Sequence, residues 1–322
     1  MKRKLLILFT IMLMAASGCS VQKSSKNVSE NKNSKVKIYA SIYPLSYLTK
    51  EIGKDKVDLH TIVPAGVEVH DYELSLRQTG KIGESDLFIF NGAGMESWGE
   101  KTANNVKDKG VKTINASEYV DLLDSKEEEN HKHENDEKHN HKDGHSHDGV
   151  DPHIWLNPLN MNEIGKQIKE ALISIDKKNK DFYEKNYKEL SEKLKGLDEK
   201  YNNTLKDKKK DTILVSHSAF GYLVNRYNIK QISVTGITPY AEPSPKTLAN
   251  LIDIAKKEDI EYIFLEVLAN PKSVEMISKE ANLKVLTLNP IEGLTKEQEK
   301  KGIDYIDIME ENLNNLKKVL VD

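Results

Sequence analysis

Residues 131–147 hold six of the chain's ten histidines (His131, His133, His139, His141, His145 and His147) in a stretch otherwise rich in Asp, Glu, Lys and Asn. Neutral imidazoles among carboxylates make an adaptable chelator for borderline divalent metals such as Zn²⁺. The run has no apolar periodicity and cannot bury enough surface to offset the entropy of ordering, so a mobile surface loop is expected. Two plainer explanations compete, a solvated loop with an accidental bias and an expression tag. A tag sits at a terminus and lacks the interspersed acids.

Four further residues could bind a metal. His70 follows an apolar run and a Pro-Ala-Gly turn, and His153 stands in Asp-Pro-His-Ile-Trp-Leu-Asn-Pro directly after the histidine-rich stretch. His217 lies in Val-Ser-His-Ser-Ala-Phe-Gly-Tyr, and Glu292 in Leu-Asn-Pro-Ile-Glu-Gly-Leu. Taken singly, each has an ordinary reading. A lone loop histidine usually makes hydrogen bonds, His153 could merely end the chelating run, and a glutamate can serve a helix N-terminus. The four are far apart in the chain, unlike the tight spacing of a zinc finger, so only their joint placement argues for a shared site.

The elements that must carry them follow a βα rhythm. Val36–Ala40, Val57–Val63, Asp86–Phe90 and Val111–Ile114 read as strands, with helices over Leu45–Ile52 and Met95–Lys107. Strands separated by helices imply a mostly parallel sheet. From about Leu159 to Leu205 proline is absent and apolar residues recur at helical spacing, as Ile164, Ile168, Leu172 and Ile175, then Tyr187, Leu190, Leu194 and Leu197. One long helix, or two joined helices, is expected there. The βα rhythm then resumes, with strands at 212–215, 232–234, 262–265 and 285–288. Helices are expected at 220–227, 245–257, 272–281 and 303–320. The fold class is therefore α/β, with two lobes, each a mostly parallel sheet flanked by helices, joined by a long bridging helix. In such folds ligands gather outside the carboxyl ends of strands, where all four candidates fall, two from each lobe, which places the metal site between lobes.

The N-terminus is set apart from this domain. Lys2, Arg3 and Lys4 precede a short apolar run from Leu5 to Met14, and small residues lead into Cys19, the only cysteine. That is a secretory signal, too short for an ordinary membrane span. With a single cysteine there are no disulfides and no Cys-based metal site. Residues 20–35, rich in Ser, Asn and Lys, read as a flexible tether. The domain plan is 1–19 signal peptide and Cys19, 20–35 tether, 36–156 first lobe with the His-rich loop at 126–148, 157–207 bridging helix, and 208–322 second lobe. A net charge of −3 and a pI near 6.4 give no electrostatic reason to expect nucleic acid.

The motifs His70-Asp71-Tyr72-Glu73, Asp151-Pro152-His153-Ile154-Trp155, Ser216-His217-Ser218-Ala219-Phe220-Gly221-Tyr222 and Ala241-Glu242-Pro243-Ser244-Pro245 together resemble the metal-binding lipoproteins of the cluster A-I family, the substrate-binding components of bacterial ABC importers for Zn²⁺ or Mn²⁺. Ala16-Ser17-Gly18-Cys19 likewise resembles a bacterial lipobox, which implies a diacylated Cys19 anchoring the protein to the extracytoplasmic face of the membrane. The resemblance runs from about Val36 to the C-terminus. It implies His70, His153 and His217 as ligands, with Glu292 as the fourth or water in its place. Histidine rather than glutamate at 217 points to the zinc branch, with Mn²⁺ as the alternative. It also implies a monomer that hands its ion to a membrane permease with an ATPase partner, and a collecting role for the His-rich loop. Asp71, Glu73 and Glu242 are candidate acceptors for the second nitrogens of the ligand histidines.

Three imidazoles and one carboxylate fill a tetrahedral Zn²⁺ shell, which favours binding over catalysis. A zinc hydrolase would need an open position and a general base, and the sequence has neither His-Glu-x-x-His nor Gly-x-Ser-x-Gly. No phosphate-binding Gly-x-x-x-x-Gly-Lys-Ser/Thr loop is present either. A surface adhesin is the remaining rival.

Overall fold

The computed structural model describes residues 35–124, 149–237, 243–268 and 271–322. The signal peptide, Cys19, nearly all of the tether, the six loop histidines and Glu242 lie outside the described residues.

The first lobe holds strands β1 (Val36–Ala40), β2 (Val57–Thr61), β3 (Leu87–Phe90) and β4 (Lys112–Asn115) in the order β2-β1-β3-β4, every pair parallel. β3, Leu-Phe-Ile-Phe, is buried throughout, as a parallel strand covered on both faces must be. At the edge, β2 leaves Asp58 exposed, a charge that discourages another chain from pairing there. The helices are α1 (Tyr43–Gly53), α2 (Leu76–Ile82) and α3 (Gly99–Lys107).

The second lobe repeats the plan with β5 (Thr212–His217), β6 (Lys230–Thr235), β7 (Tyr262–Leu265) and β8 (Lys284–Thr287), ordered β6-β5-β7-β8 and again all parallel. In both sheets the order reverses beside the first strand, between β1 and β3 and between β5 and β7. That is the switch-point geometry that opens a crevice above the strand ends.

In the chain the two sheets are connected by two helices, α4 (Pro158–Ile175) and α5 (Lys180–Leu205), so the long apolar-periodic stretch is a joined pair rather than a single rod. Asn157 opens α4 by accepting the Leu159 N–H at 2.9 Å, with Pro158 in the first turn where its missing N–H costs nothing. The break is made by Asp176, whose carboxylate takes Asn179 Nδ2 at 2.6 Å and the Tyr183 hydroxyl at 2.8 Å. Local side-chain bonds of this kind compete with helix continuation.

The longer helix, α5, is the bridge. Its first half bonds the first lobe through Asn186 Nδ2 to Ile52 O at 2.9 Å. Its second half holds the other lobe, where Asp198 takes Arg226 Nη2 at 2.7 Å and the Tyr227 hydroxyl at 3.0 Å. Tyr201 donates to Met309 O at 2.6 Å, on the closing helix Tyr305–Leu320. One continuous apolar cluster, including Leu45, Trp155, Tyr201, Phe220 and Tyr305, runs through both lobes and the bridge. Among the described residues no helix is long and apolar enough to cross a membrane.

The remaining helices of the second lobe are α6 (Gly221–Arg226), α7 (Pro245–Lys257), α8 (Lys272–Ala281), α9 (Lys296–Lys301) and α10 (Tyr305–Leu320). The sequence reading misses α2 and α9. Each is short, yet each opens with a capping box, Ser75 with Gln78 and Thr295 with Gln298, and that signature was available in the sequence.

Candidate metal centre

His70, His153, His217 and Glu292 converge, with one potential ligand atom from each lying within 4.8 Å of the others. The Nε2 atoms of the three histidines stand 3.6, 3.4 and 3.5 Å from Glu292 Oε1. Four donors held about 2.1 Å from a central ion at tetrahedral angles would be separated by about 3.4 Å. The three edges to Glu292 match that spacing and are too long for good hydrogen bonds. Among the described residues the three Nε2 atoms and Glu292 Oε1 are buried without hydrogen-bond partners. Orphaned buried polar atoms are costly, and here all four face one point.

Each candidate ligand arrives on its own segment. His70 sits in the loop after β2, where Glu68 Oε1 accepts the N–H groups of Val69 at 3.0 Å and His70 at 3.4 Å. His217 is the last residue of β5, one step earlier than a loop placement. His153 leads into the short turn Ile154–Leu156. That segment is tied to both lobes: Asn91 Nδ2 donates to Pro152 O at 2.8 Å, Trp155 Nε1 to Pro290 O at 2.7 Å, and the Tyr305 hydroxyl to Trp155 O at 2.7 Å.

Glu292 depends on an unusual backbone. Ile291 before it has φ of 57°, a conformation that a β-branched residue adopts only under constraint. The constraint is visible. Asn289 Oδ1 accepts the Ile291 N–H at 2.8 Å, and Asn312 brackets Asn289 with two bonds of 2.8 Å. The loops of His70 and Glu292 are clasped across the lobes by Gly66 N–H to Leu294 O at 2.7 Å.

The second nitrogens of two ligands have carboxylate neighbours. His153 Nδ1 lies 2.7 Å from Asp151 Oδ1, and His217 Nδ1 lies 2.6 Å from Glu266 Oε2. At His153 the carboxylate takes the Nδ1 proton and leaves the Nε2 lone pair free for a metal; Glu266 is as close to His217 Nδ1 but is not aligned with it for a hydrogen bond. These acceptors replace the expected Asp71 and Glu73, which are exposed. Glu266 follows directly on β7, so the strand-end rule that picked out the ligands also pointed to it.

Charge within the cluster is divided sharply. Burial alone would raise the Glu292 pKa, but the three imidazoles hold it well below the usual carboxylate range. Burial opposes charge on the histidines too, yet Asp151 and Glu292 raise His153, and Glu266 and Glu292 push His217 up to about 10. Glu68 is pushed up to about 7 by its own burial and by the charge of Glu292. The tenth histidine, His60, is on the edge strand stacked on Tyr39 at 4.8 Å and takes no part.

Residues 38–319 match the family model described as "Zinc-uptake complex component A periplasmic". The chain is 39% identical over 310 residues to the high-affinity zinc uptake system protein ZnuA of Bacillus subtilis, covering 96% of this chain and 94% of that protein. It is 35% identical over 318 residues to the zinc-binding lipoprotein AdcA of Streptococcus pneumoniae, covering 99% of this chain but only 61% of AdcA. Among solved structures, the Zn(II)-bound ZnuA-like domain of that AdcA superposes with a TM-score of 0.76 at 34% identity, covering 89% of this chain and all of that domain.

Proposed function

The chain belongs to the zinc-uptake component A family, and from that premise we propose that it captures Zn²⁺ outside the cytoplasm and delivers it to an ABC-type importer. The observation that carries this reading is the buried convergence of His70, His153, His217 and Glu292. Three imidazoles and one carboxylate suit Zn²⁺ better than Mn²⁺, which favours oxygen ligands. Glu292, rather than water, is the fourth ligand. With four protein ligands no position is left for an activated water, so the protein binds and does not hydrolyse.

The finer features follow the same reading. Cys19 carries the lipid that anchors the protein to the membrane, and residues 20–35 give the domain its reach. The chain divides at 36–156, 157–207 and 208–322, following the two sheets and the helices between them. It acts as a monomer, with a permease and an ATPase as partners. The loop histidines His131, His133, His139, His141, His145 and His147 collect metal for the buried site.

The test is metal content and competitive titration of Zn²⁺ against Mn²⁺ on the mature chain, with His217→Ala alongside. One tightly held Zn²⁺ that Mn²⁺ cannot displace, and that His217→Ala loses, is the expected result. Preferential retention of Mn²⁺ would move the assignment to the manganese branch, and tight binding indifferent to His217 would sink the four-residue site.

A further inference from the structure

Tyr222 lies in α6, five residues beyond His217, and is buried at 3% exposure. Its hydroxyl donates to Asp151 O at 3.0 Å and accepts the Leu123 N–H at 3.1 Å. Leu123 and Asp151 flank the His-rich stretch, and they are bonded to each other through Asp151 N–H to Leu123 O at 3.0 Å. Asp124 and Val150 add an antiparallel bridge. One hydroxyl therefore joins the second lobe to both strands of this small clasp.

The clasp leads straight to the metal site. Asp151 Oδ1 accepts the His153 N–H at 2.9 Å and stands 2.7 Å from His153 Nδ1. On the other side Asn91 of the first lobe holds Pro152 O at 2.8 Å. The Asp151–His153 segment is thus suspended between Asn91 on one lobe and Tyr222 on the other.

We propose that Tyr222 is a positioning residue for metal binding, its hydroxyl fixing Asp151 and, through that carboxylate, the orientation of His153. This rests on the zinc-binding reading given above. Tyr222 touches no metal. Removing its hydroxyl leaves the buried Asp151 carbonyl and the half-buried Leu123 N–H without this partner, and the Asp151 carboxylate is freed to move relative to the imidazole it orients. Outer groups that orient metal-ligating histidines are worth roughly 10–100-fold in affinity. Phenylalanine keeps the ring and its packing, so Tyr222→Phe isolates the hydroxyl.

The experiment measures Zn²⁺ affinity and dissociation rate by chelator competition on the full mature chain. It also records the visible absorption of the first equivalent of Co²⁺ as a probe of site geometry. Wild type, Tyr222→Phe, Asp151→Asn and the double variant are compared, with apo melting temperatures read in parallel. Tyr222→Phe is expected to bind Zn²⁺ roughly tenfold more weakly, release it faster and shift the Co²⁺ bands. In the Asp151→Asn background its effect should largely vanish, because coupled residues are not additive. Unchanged affinity and Co²⁺ spectrum, with or without a fall in melting temperature, would overturn the proposal, as would full additivity with Asp151→Asn. Failure of the wild type to take up tight Zn²⁺ is a separate result, and it would remove the zinc-binding reading itself.

Discussion

Glu266 Oε2 lies 2.6 Å from His217 Nδ1, while its other oxygen accepts the His217 backbone N–H at 3.1 Å and the Ser216 hydroxyl. One carboxylate thus holds the main chain of a candidate ligand by a hydrogen bond and faces its ring as a charge, from the residue that follows the neighbouring strand β7. Glu266→Gln keeps the shape but not the charge, and it should weaken Zn²⁺ binding roughly tenfold. Glu266→Ala should approach 100-fold, within the range for groups that orient metal-ligating histidines. Chelator competition checks both. A variant with wild-type affinity would show that β5 alone orients His217.

Glu292 gathers all three imidazoles around one oxygen, and its charge is held in place by them. Glu292→Ala removes the anion and opens the fourth position to water, giving the three-histidine arrangement of catalytic zinc sites. Binding should weaken and exchange should speed up, yet one Zn²⁺ should remain bound at micromolar protein. Isothermal titration calorimetry reads the affinity and stoichiometry, and the time course of chelator competition reads the exchange. Complete loss of Zn²⁺ would mean that the carboxylate holds the site together rather than only completing it.

The convergence of the four candidates was legible because parallel βα units deliver their loops to one end of the sheet, and the strands near His70, His217 and Glu292 were readable from apolar runs. The partners of the ligands were less so. Asp151 lies two residues from His153 within the motif itself, but proximity in sequence also favoured Asp71 and Glu73, which turn out to solvent. Choosing among them needs the loop's path, set by Asn91, Tyr222 and Trp155 from distant parts of the chain. The helical break at Asp176 was equally hidden. Helical periodicity runs up to Ile175 and resumes in the next helix, and only the bonds from Asn179 and Tyr183 show the chain turning there.

Buried Glu96 links the first lobe's stability to pH. Its carboxylate accepts the N–H groups of Asn91 at 2.9 Å and Gly92 at 3.1 Å, and burial pushes its pKa from 4.5 up to about 7. The folded protein therefore holds this proton more tightly than the unfolded chain. The associated stability is full below about pH 4.5 and is lost as pH rises through about 7. A shift of this size corresponds to about 3 kcal/mol. Glu96→Gln should flatten this part of the stability–pH curve between pH 5 and 7, as read by chemical denaturation of the metal-free protein. An unchanged slope would place the titration elsewhere.

Deleting residues 126–148 and joining the ends with a short glycine turn should leave the buried site intact. The Asp124–Val150 bridge and the Asp151 N–H to Leu123 O bond already close the two ends, and none of the four converging ligands comes from the deleted stretch. Closing a shorter loop costs less entropy, so the shorter connection should stabilise the fold by roughly 1.5 kcal/mol. Total zinc per chain should fall to one, with tight affinity unchanged, and uptake should suffer only when the metal is scarce. Metal analysis and chelator competition separate these effects. If tight binding disappears with the stretch, its histidines belong to the high-affinity site, and His70, His153, His217 and Glu292 are not sufficient to hold the ion.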